Sequence, residues 1–248
     1  MLIRSASGLR GIAKDHFTPE LIDKYISAFI NTQNIKSCVI GRDGRPSGKQ
    51  IALWVIDSLH KKGVNVDNCG LATTPTMQIM TEKENYDGGI VITASHNPSE
   101  YNGLKFLQND GTFLSPEQCE ELFKAVDQNI SVENSESLGV VSDYSTANKE
   151  HIHKVLSAKC IDVESVIQKK FTVVIDAVNG AGSYILPTLC EQLGCKVITM
   201  NCKGDGNFTR IPEPLAENLQ SLEKKVLEVG ADIGFATDPD GDRLSIVS

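Results

Sequence analysis

Short apolar runs alternate along this chain with longer segments whose apolar residues recur every three or four positions. Residues 37–41 (S-C-V-I-G) form one such run, and a polar turn over 42–48 follows it. Residues 49–62 then place Ile51, Leu53, Trp54, Val55 and Leu59 at helical spacing, and Gly63 ends the segment as a helix C-terminus. The same reasoning predicts strands over 64–71 and 88–93, and helices over 76–84 and 116–127. This rhythm argues for an α/β layered domain whose strands are covered on both faces.

The stretch 128–146 is different: it is rich in Ser, Asn and Glu, and only 139–141 looks strand-like. A domain boundary is expected here, at about residue 145. The rhythm then restarts, with helices over 147–158, 182–193 and 216–229 and strands over 171–176, 196–201 and 232–236. Residues 244–248 begin another strand where the chain stops, which reads as a fragment of a longer protein.

Net charge is −8, from 24 Lys+Arg against 32 Asp+Glu, and no basic block interrupts the acidic balance. Such a chain is a poor binder of nucleic acid or anionic membrane, so an anionic substrate has to be met locally by a few cations, a metal or helix N-termini. The 7 cysteines include no C-x-x-C pair, which argues against a zinc site or a redox motif. No apolar run reaches the length of a membrane span. A signal-peptide core is also missing at Met1-Leu2-Ile3-Arg4, and the expectation is a reduced, cytoplasmic protein.

Three polar clusters interrupt the pattern. Thr93-Ala94-Ser95-His96-Asn97-Pro98 follows an apolar strand directly. The C-terminal end of such a strand is where α/β sheets bind ligands, and a loop there can expose a serine hydroxyl. Neighbouring Ser and His side chains point apart in extended chain, which disfavours a hydrolase dyad. Asp238-Pro239-Asp240-Gly241-Asp242-Arg243 packs three carboxylates into five residues. They repel unless a cation joins them, and oxygen-only ligands favour Mg²⁺, Mn²⁺ or Ca²⁺. An EF-hand is excluded, because its sixth position requires Gly and here holds Arg243. The third cluster is Ser7-Gly8-Leu9-Arg10-Gly11, whose arginine suits a phosphate and suits a surface turn equally. A hydroxyl, a divalent-metal nest and cations together make a phosphoryl-transfer kit.

At these residues the chain resembles the α-D-phosphohexomutase superfamily, which includes phosphoglucomutase/phosphomannomutase and phosphoglucosamine mutase. T-A-S-H-N-P is similar to the family's phosphoserine loop, and Lys105 in N-G-L-K-F matches its lysine. D-P-D-G-D-R matches the metal loop and S-G-L-R-G the N-terminal arginine motif. G-R-D-G-R-P-S-G at 41–48 and D-A-V-N-G-A-G at 176–182 also fit.

The resemblance implies two similar α/β/α layered domains with mixed sheets, 1–145 with the phosphoserine loop and 146–248 with the metal loop. These are the first two of four domains, so the C-terminal domains expected in the complete protein are missing. It further implies that Ser95 is carried as a phosphoserine and exchanges its phosphoryl group with O1 or O6 of a hexose phosphate, through a bisphosphorylated sugar. One Mg²⁺ would be held by Asp238, Asp240, Asp242 and a phosphate oxygen on Ser95. His96 and Lys105 would serve proton transfer and electrostatic support, while Arg10 and Arg243 would steady phosphate. The segment 211–219 (I-P-E-P-L-A-E-N-L) is similar to a branch assigned to glucosamine or mannose phosphates.

Two other functions compete. F-A-T-D-P-D-G at 235–241 resembles the opening of haloacid-dehalogenase-type phosphatases, in which Asp238 would be the nucleophile. A two-domain remnant that binds metal or sugar phosphate without turnover is the other. The remaining features read as structural: the 41–48 turn with Ser47 as a helix cap, Trp54 in the core, His151 and His153 facing solvent, and Glu217, Glu223 and Glu228 on a solvated helix face.

Overall fold

The computed structural model describes residues 2–5, 7–82 and 86–248. In chain order its elements are β1 (Ile3–Ser5), β2 (Gly8–Ile12), α1 (Ala13–His16), α2 (Pro19–Gln33), β3 (Ser37–Arg42), α3 (Gly48–Lys61), β4 (Asn65–Leu71), α4 (Thr74–Thr81), β5 (Gly88–Ile92), β6 (Tyr101–Gln108), α5 (Pro116–Asp127) and β7 (Val141–Asp143). The second half adds α6 (Ala147–Leu156), α7 (Val163–Lys169), β8 (Thr172–Asp176), α8 (Gly182–Gln192), β9 (Lys196–Met200), α9 (Gln220–Val229), β10 (Ile233–Thr237) and β11 (Leu244–Val247).

The strands build two mixed sheets. The first runs β1-β2-β6-β5-β3-β4-β7, with β3 parallel to β4 and β5, and β6 antiparallel to β5. The second runs β11-β10-β8-β9, with β8 parallel to both β9 and β10 and β11 antiparallel to β10. Period-two alternation sends side chains to opposite faces, and both faces are covered. Cys38, Ile40, Ile90 and Ile92 pack under α2, α3 and α5, while Val39 and Val91 pack against Met77 and Met80 of α4. In the second sheet Val174 and Ala236 meet Leu222 and Val226 of α9, and Val173 and Ile175 meet Cys190 of α8.

Several elements escaped the sequence reading. α2 carries a complete start signal, with Thr18 accepting a hydrogen bond from the Leu21 N–H and Pro19 in the first turn. β1, β2, β6 and α7 were likewise not predicted. Helix α4 begins at Thr74 rather than 76, because Thr73 caps it, and residues 83 and 84 of the predicted 76–84 helix lie outside the described residues. The predicted 216–229 helix is a 3₁₀ turn over Ala216–Asn218 followed by α9. Leu53, expected on the apolar face of α3, is 60% exposed, and Trp54 is half-buried against the core.

The two units touch through the turn after β3. A Cβ on Gly44 would come 2.5 Å from the Asn179 carbonyl oxygen and 3.0 Å from the Gly206 nitrogen. Both contacts are backbone atoms of the second unit, which have no flexible end to yield. Gly44→Ala is therefore expected to cost about 1–3 kcal/mol in urea unfolding, as overpacking does. The exposed Leu53→Ala should stay within about 0.5 kcal/mol of the parent. An unchanged midpoint for Gly44→Ala would contradict the close approach.

Candidate active site

Two loops at the C-terminal ends of parallel strands meet across the boundary between the units. The first follows β5. Ser95 sits there with φ +50°, a left-handed conformation that costs a non-glycine residue about 1–3 kcal/mol unless its surroundings hold it. They do. The Ser95 N–H donates to Thr93 Oγ1 at 2.9 Å, and the Thr93 hydroxyl donates to Asp43 Oδ2 at 2.7 Å. Arg45 pairs with the same Asp43 oxygen at 2.9 Å and donates to the carbonyls of Ser95, Asn97, Pro98 and Tyr101. Asp43 and Arg45 are both fully buried.

These two residues are the main omission of the sequence reading. The 41–48 turn was expected to be structural with Ser47 capping α3. Ser47 does occupy the cap position, yet it makes no side-chain cap bond, and its hydroxyl accepts instead from Asn102 Nδ2 at 2.9 Å. The turn's position after β3, beside the loop after β5, was the available signal: adjacent parallel strands end side by side.

The second loop follows β10. One carboxylate oxygen from each of Asp238, Asp240 and Asp242 lies within 4.8 Å of the others. Asp238 and Asp240 are buried and Asp242 is exposed. Ser95 Oγ donates to Asp238 Oδ2 at 3.0 Å, so the loop residues that the sequence singled out on separate units are in contact. Lys105, from β6, donates to Asp240 Oδ2 at 2.7 Å and to Asp242 Oδ2 at 3.1 Å. Thr74, absent from the sequence reading, donates its hydroxyl to Asp240 Oδ2 at 2.6 Å and its N–H to the Asp240 carbonyl at 2.8 Å. The N-terminus of α4 thus faces the acidic loop, a placement that favours negative charge.

The electrostatics follow from this crowding. Burial, together with the neighbouring Asp240 and Asp242, pushes the Asp238 carboxyl up to about 8. Burial also opposes the charge on Asp240, but the Lys105 ammonium and the hydrogen bonds from Lys105 and Thr74 outweigh it and hold that carboxyl low. Lys105 is raised for the matching reason, its burial being outweighed by Asp240 and Asp242. Asp240 Oδ1 is buried without a hydrogen-bond partner. A clustered, oxygen-only donor set with one unsatisfied buried oxygen fits a hard divalent cation.

A cavity of about 310 Å³ opens beside the loops, lined by Arg10, Ser95, His96, Lys105, Asp242 and Arg243 among others. Arg10 Nη1 donates to Asn97 Oδ1 at 3.2 Å. His96 Nδ1 is buried without a partner, and burial followed by Arg243 and Arg10 lowers its pKa, leaving a neutral imidazole near pH 7. The Arg243 N–H donates to Asp238 Oδ1 at 3.2 Å and its guanidinium pairs with Glu213 at 2.7 Å. Every sequence-selected site residue therefore lies in or beside one cleft. His151 does not face solvent as expected: it is half-buried, and its Nδ1 bonds Thr76 Oγ1 at 2.9 Å. His153, Glu223 and Glu228 are exposed, and so is Glu217, although it lies in the 3₁₀ turn.

Fold and cleft together define a two-unit α/β protein in which a strained serine meets a carboxylate cluster across the unit boundary. A profile described as phosphoglucomutase/phosphomannomutase, alpha/beta/alpha domain I matches residues 1–133, and its domain II counterpart matches 149–248. The chain belongs to this phosphohexomutase family and holds its N-terminal two domains. It is 39% identical to a phosphoglucomutase/phosphomannomutase of Thermococcus kodakarensis, over 97% of this chain and 54% of that one. A probable phosphoglucosamine mutase of Methanopyrus kandleri is 35% identical, over 98% and 53%. Among solved structures, a phosphoglucomutase/phosphomannomutase family protein of Burkholderia thailandensis superimposes with a TM-score of 0.80 at 28% identity, covering 99% of this chain and 55% of that one. The chain spans about half the length of the curated relatives it matches.

The raised Asp238 carboxyl yields a pH prediction. Its folded pKa lies above the ordinary carboxyl value of about 3.9, so its contribution to stability is fullest below that pH and is lost as pH rises through about 8. A cation needs the deprotonated form, so Mg²⁺ affinity should climb by up to about tenfold per pH unit from pH 6 and flatten near 8, with proton release. Calorimetry in buffers of different ionisation enthalpy measures both. A flat affinity without proton release would contradict the assignment.

Proposed function

We propose that this chain carries the phosphoryl-transfer machinery of a phosphohexomutase, which moves a phosphoryl group between O1 and O6 of a hexose phosphate. The observation that carries this reading is the 3.0 Å contact between Ser95 Oγ and Asp238, made across the two units. In this reading the divide falls at about residue 145, with Ser95 on one side and the acidic loop on the other.

Ser95 is carried as a phosphoserine. A sugar hydroxyl attacks the phosphorus, its O–P bond forms as the Ser95 Oγ–P bond breaks, and the resulting bisphosphate returns its other phosphoryl group to Ser95. The attacking hydroxyl's proton passes to a group lining the cavity. His96, neutral near pH 7 and lining the cavity, is suited to accept it, whereas Lys105, whose pKa is raised by Asp240 and Asp242, stands ready to donate a proton or support charge rather than to accept one. While Lys105 stands as an ammonium it supports phosphate charge, and Arg10 and Arg243 flank the same cavity as phosphate contacts. Mg²⁺ held by Asp238, Asp240, Asp242 and a Ser95 oxygen would offset the charge of the transferred group. The glucosamine, mannose and glucose phosphates suggested by the relatives' names are the candidate substrates.

Incubation with glucose 1,6-bisphosphate and Mg²⁺ tests the reading. Phosphate should appear on Ser95 by peptide mass spectrometry and be absent from Ser95→Ala; phosphate elsewhere, as on Asp238, would overturn it. Asp240→Asn should weaken Mg²⁺ by about tenfold or more, through loss of a ligand charge. The chain alone is expected not to sustain isomerisation, because positioning of both sugar and distal phosphate is most of this catalysis. A coupled assay showing about one turnover per second would contradict that expectation.

A further inference from the structure

Arg45 spends every N–H of its guanidinium inside the protein. Nε donates to Asp43, Nη1 to the carbonyls of Pro98 and Tyr101, and Nη2 to those of Ser95 and Asn97. A guanidinium has five such donors in a fixed planar fork, so its donor capacity matches the acceptors present. Three carbonyls of the loop between β5 and β6, and that of Tyr101 at the start of β6, converge on it. Carbonyl dipoles aimed at one point repel, and the loop can take this shape only around a buried cation. The loop's own backbone bonds are few, Asn97 N–H to Ala94 O and Tyr101 N–H to Pro98 O. One face of the guanidinium is covered from the other unit, with the Phe208 ring centroid 5.0 Å from Arg45 Cζ.

We infer that Arg45 is a positioning residue for the nucleophile. It moulds residues 95–101 so that Ser95 keeps its left-handed backbone and its Oγ reaches Asp238, and Phe208 makes that shape depend on contact between the two units. The assignment deepens the phosphohexomutase reading and rests on it for the meaning of Ser95. Its structural content, a loop ordered by one arginine, stands apart from that reading. Lysine keeps a charge beside Asp43 but has three donors on a point-like head, so it cannot span four carbonyls.

The test uses the chain with Arg45→Lys and, because a buried substitution can impair folding, also the milder Phe208→Ala at the half-buried interface. Amide exchange by mass spectrometry reads residues 94–101, and the expected effect of Arg45→Lys there is acceleration of about tenfold or more, with the β3 and β5 strands still protected. Phosphoryl uptake by Ser95 from glucose 1,6-bisphosphate should slow by about tenfold or more, since small displacements of a reacting group are costly. Mg²⁺ affinity of the unphosphorylated chain, dominated by the three aspartate charges rather than by the Ser95 phosphate oxygen, should stay within about threefold. Phe208→Ala should shift exchange and uptake in the same direction by a smaller factor.

Unchanged exchange over 94–101 in Arg45→Lys would overturn the inference. So would a parallel fall of uptake, Mg²⁺ affinity and melting temperature, which marks a merely structural role. Failure of the parent chain to phosphorylate Ser95 at all would sink the functional reading, while the exchange result would still decide for or against Arg45.

Discussion

Three carboxylates whose oxygens lie within 4.8 Å of one another, two of them buried, set the terms for the rest of this molecule. Two unit charges at about 4 Å repel by roughly 4 kcal/mol even at an effective dielectric near 20, so the cluster cannot stand alone. What answers it comes from the other unit: the Lys105 ammonium, the Thr74 hydroxyl and N–H at the start of α4, and the Ser95 hydroxyl. Asp238, left without a cationic partner, responds by holding a proton up to about pH 8. The same repulsion that makes the loop fit a divalent cation therefore ties the two units together and brings the serine to the carboxylates.

Each unit supports its loop in a similar way. At the end of β3, Asp43 pairs with Arg45, which reaches the carbonyls of the loop after the neighbouring strand β5. At the end of β8, Asp176 pairs with Arg210 at 3.1 Å, and Arg210 donates at 2.8 Å to the carbonyl of Thr237, the last residue of the neighbouring strand β10. A buried acid fixes an arginine, and the arginine's fork fixes the backbone from which the functional loop departs. The close approaches of Gly44 to Asn179 and of Gly180 to Pro239 leave no space for a side chain between these supports.

Much of the fold was legible because its cause is local. The alternation Cys38, Val39, Ile40 marks a strand covered on both faces, and the spacing of Ile51, Val55 and Leu59 marks the helix that covers one of them. Ser95 and the three aspartates were legible for the same reason, as compact polar strings directly after apolar strands. Arg45, Thr74, Arg210 and Phe208 were not. Nothing in a G-R-D-G-R turn distinguishes an exposed arginine from one wrapped by four carbonyls, because the wrapping residues lie about fifty positions away. Thr74 reads as an ordinary helix start until Asp240, 166 residues on, is placed against it. Leu53 and His151 erred in opposite directions, since helical periodicity locates the buried face only to within a residue or so.

In the function proposed here, Ser95 and the acidic loop hold one divalent ion in common. Electron–nuclear double resonance on the chain loaded with Mn²⁺ and phosphorylated on Ser95 measures this directly, because phosphorus couples strongly to manganese only through a shared oxygen. A large phosphorus coupling that vanishes in Ser95→Ala is the predicted result. Manganese bound by the aspartates without any phosphorus coupling would contradict the account.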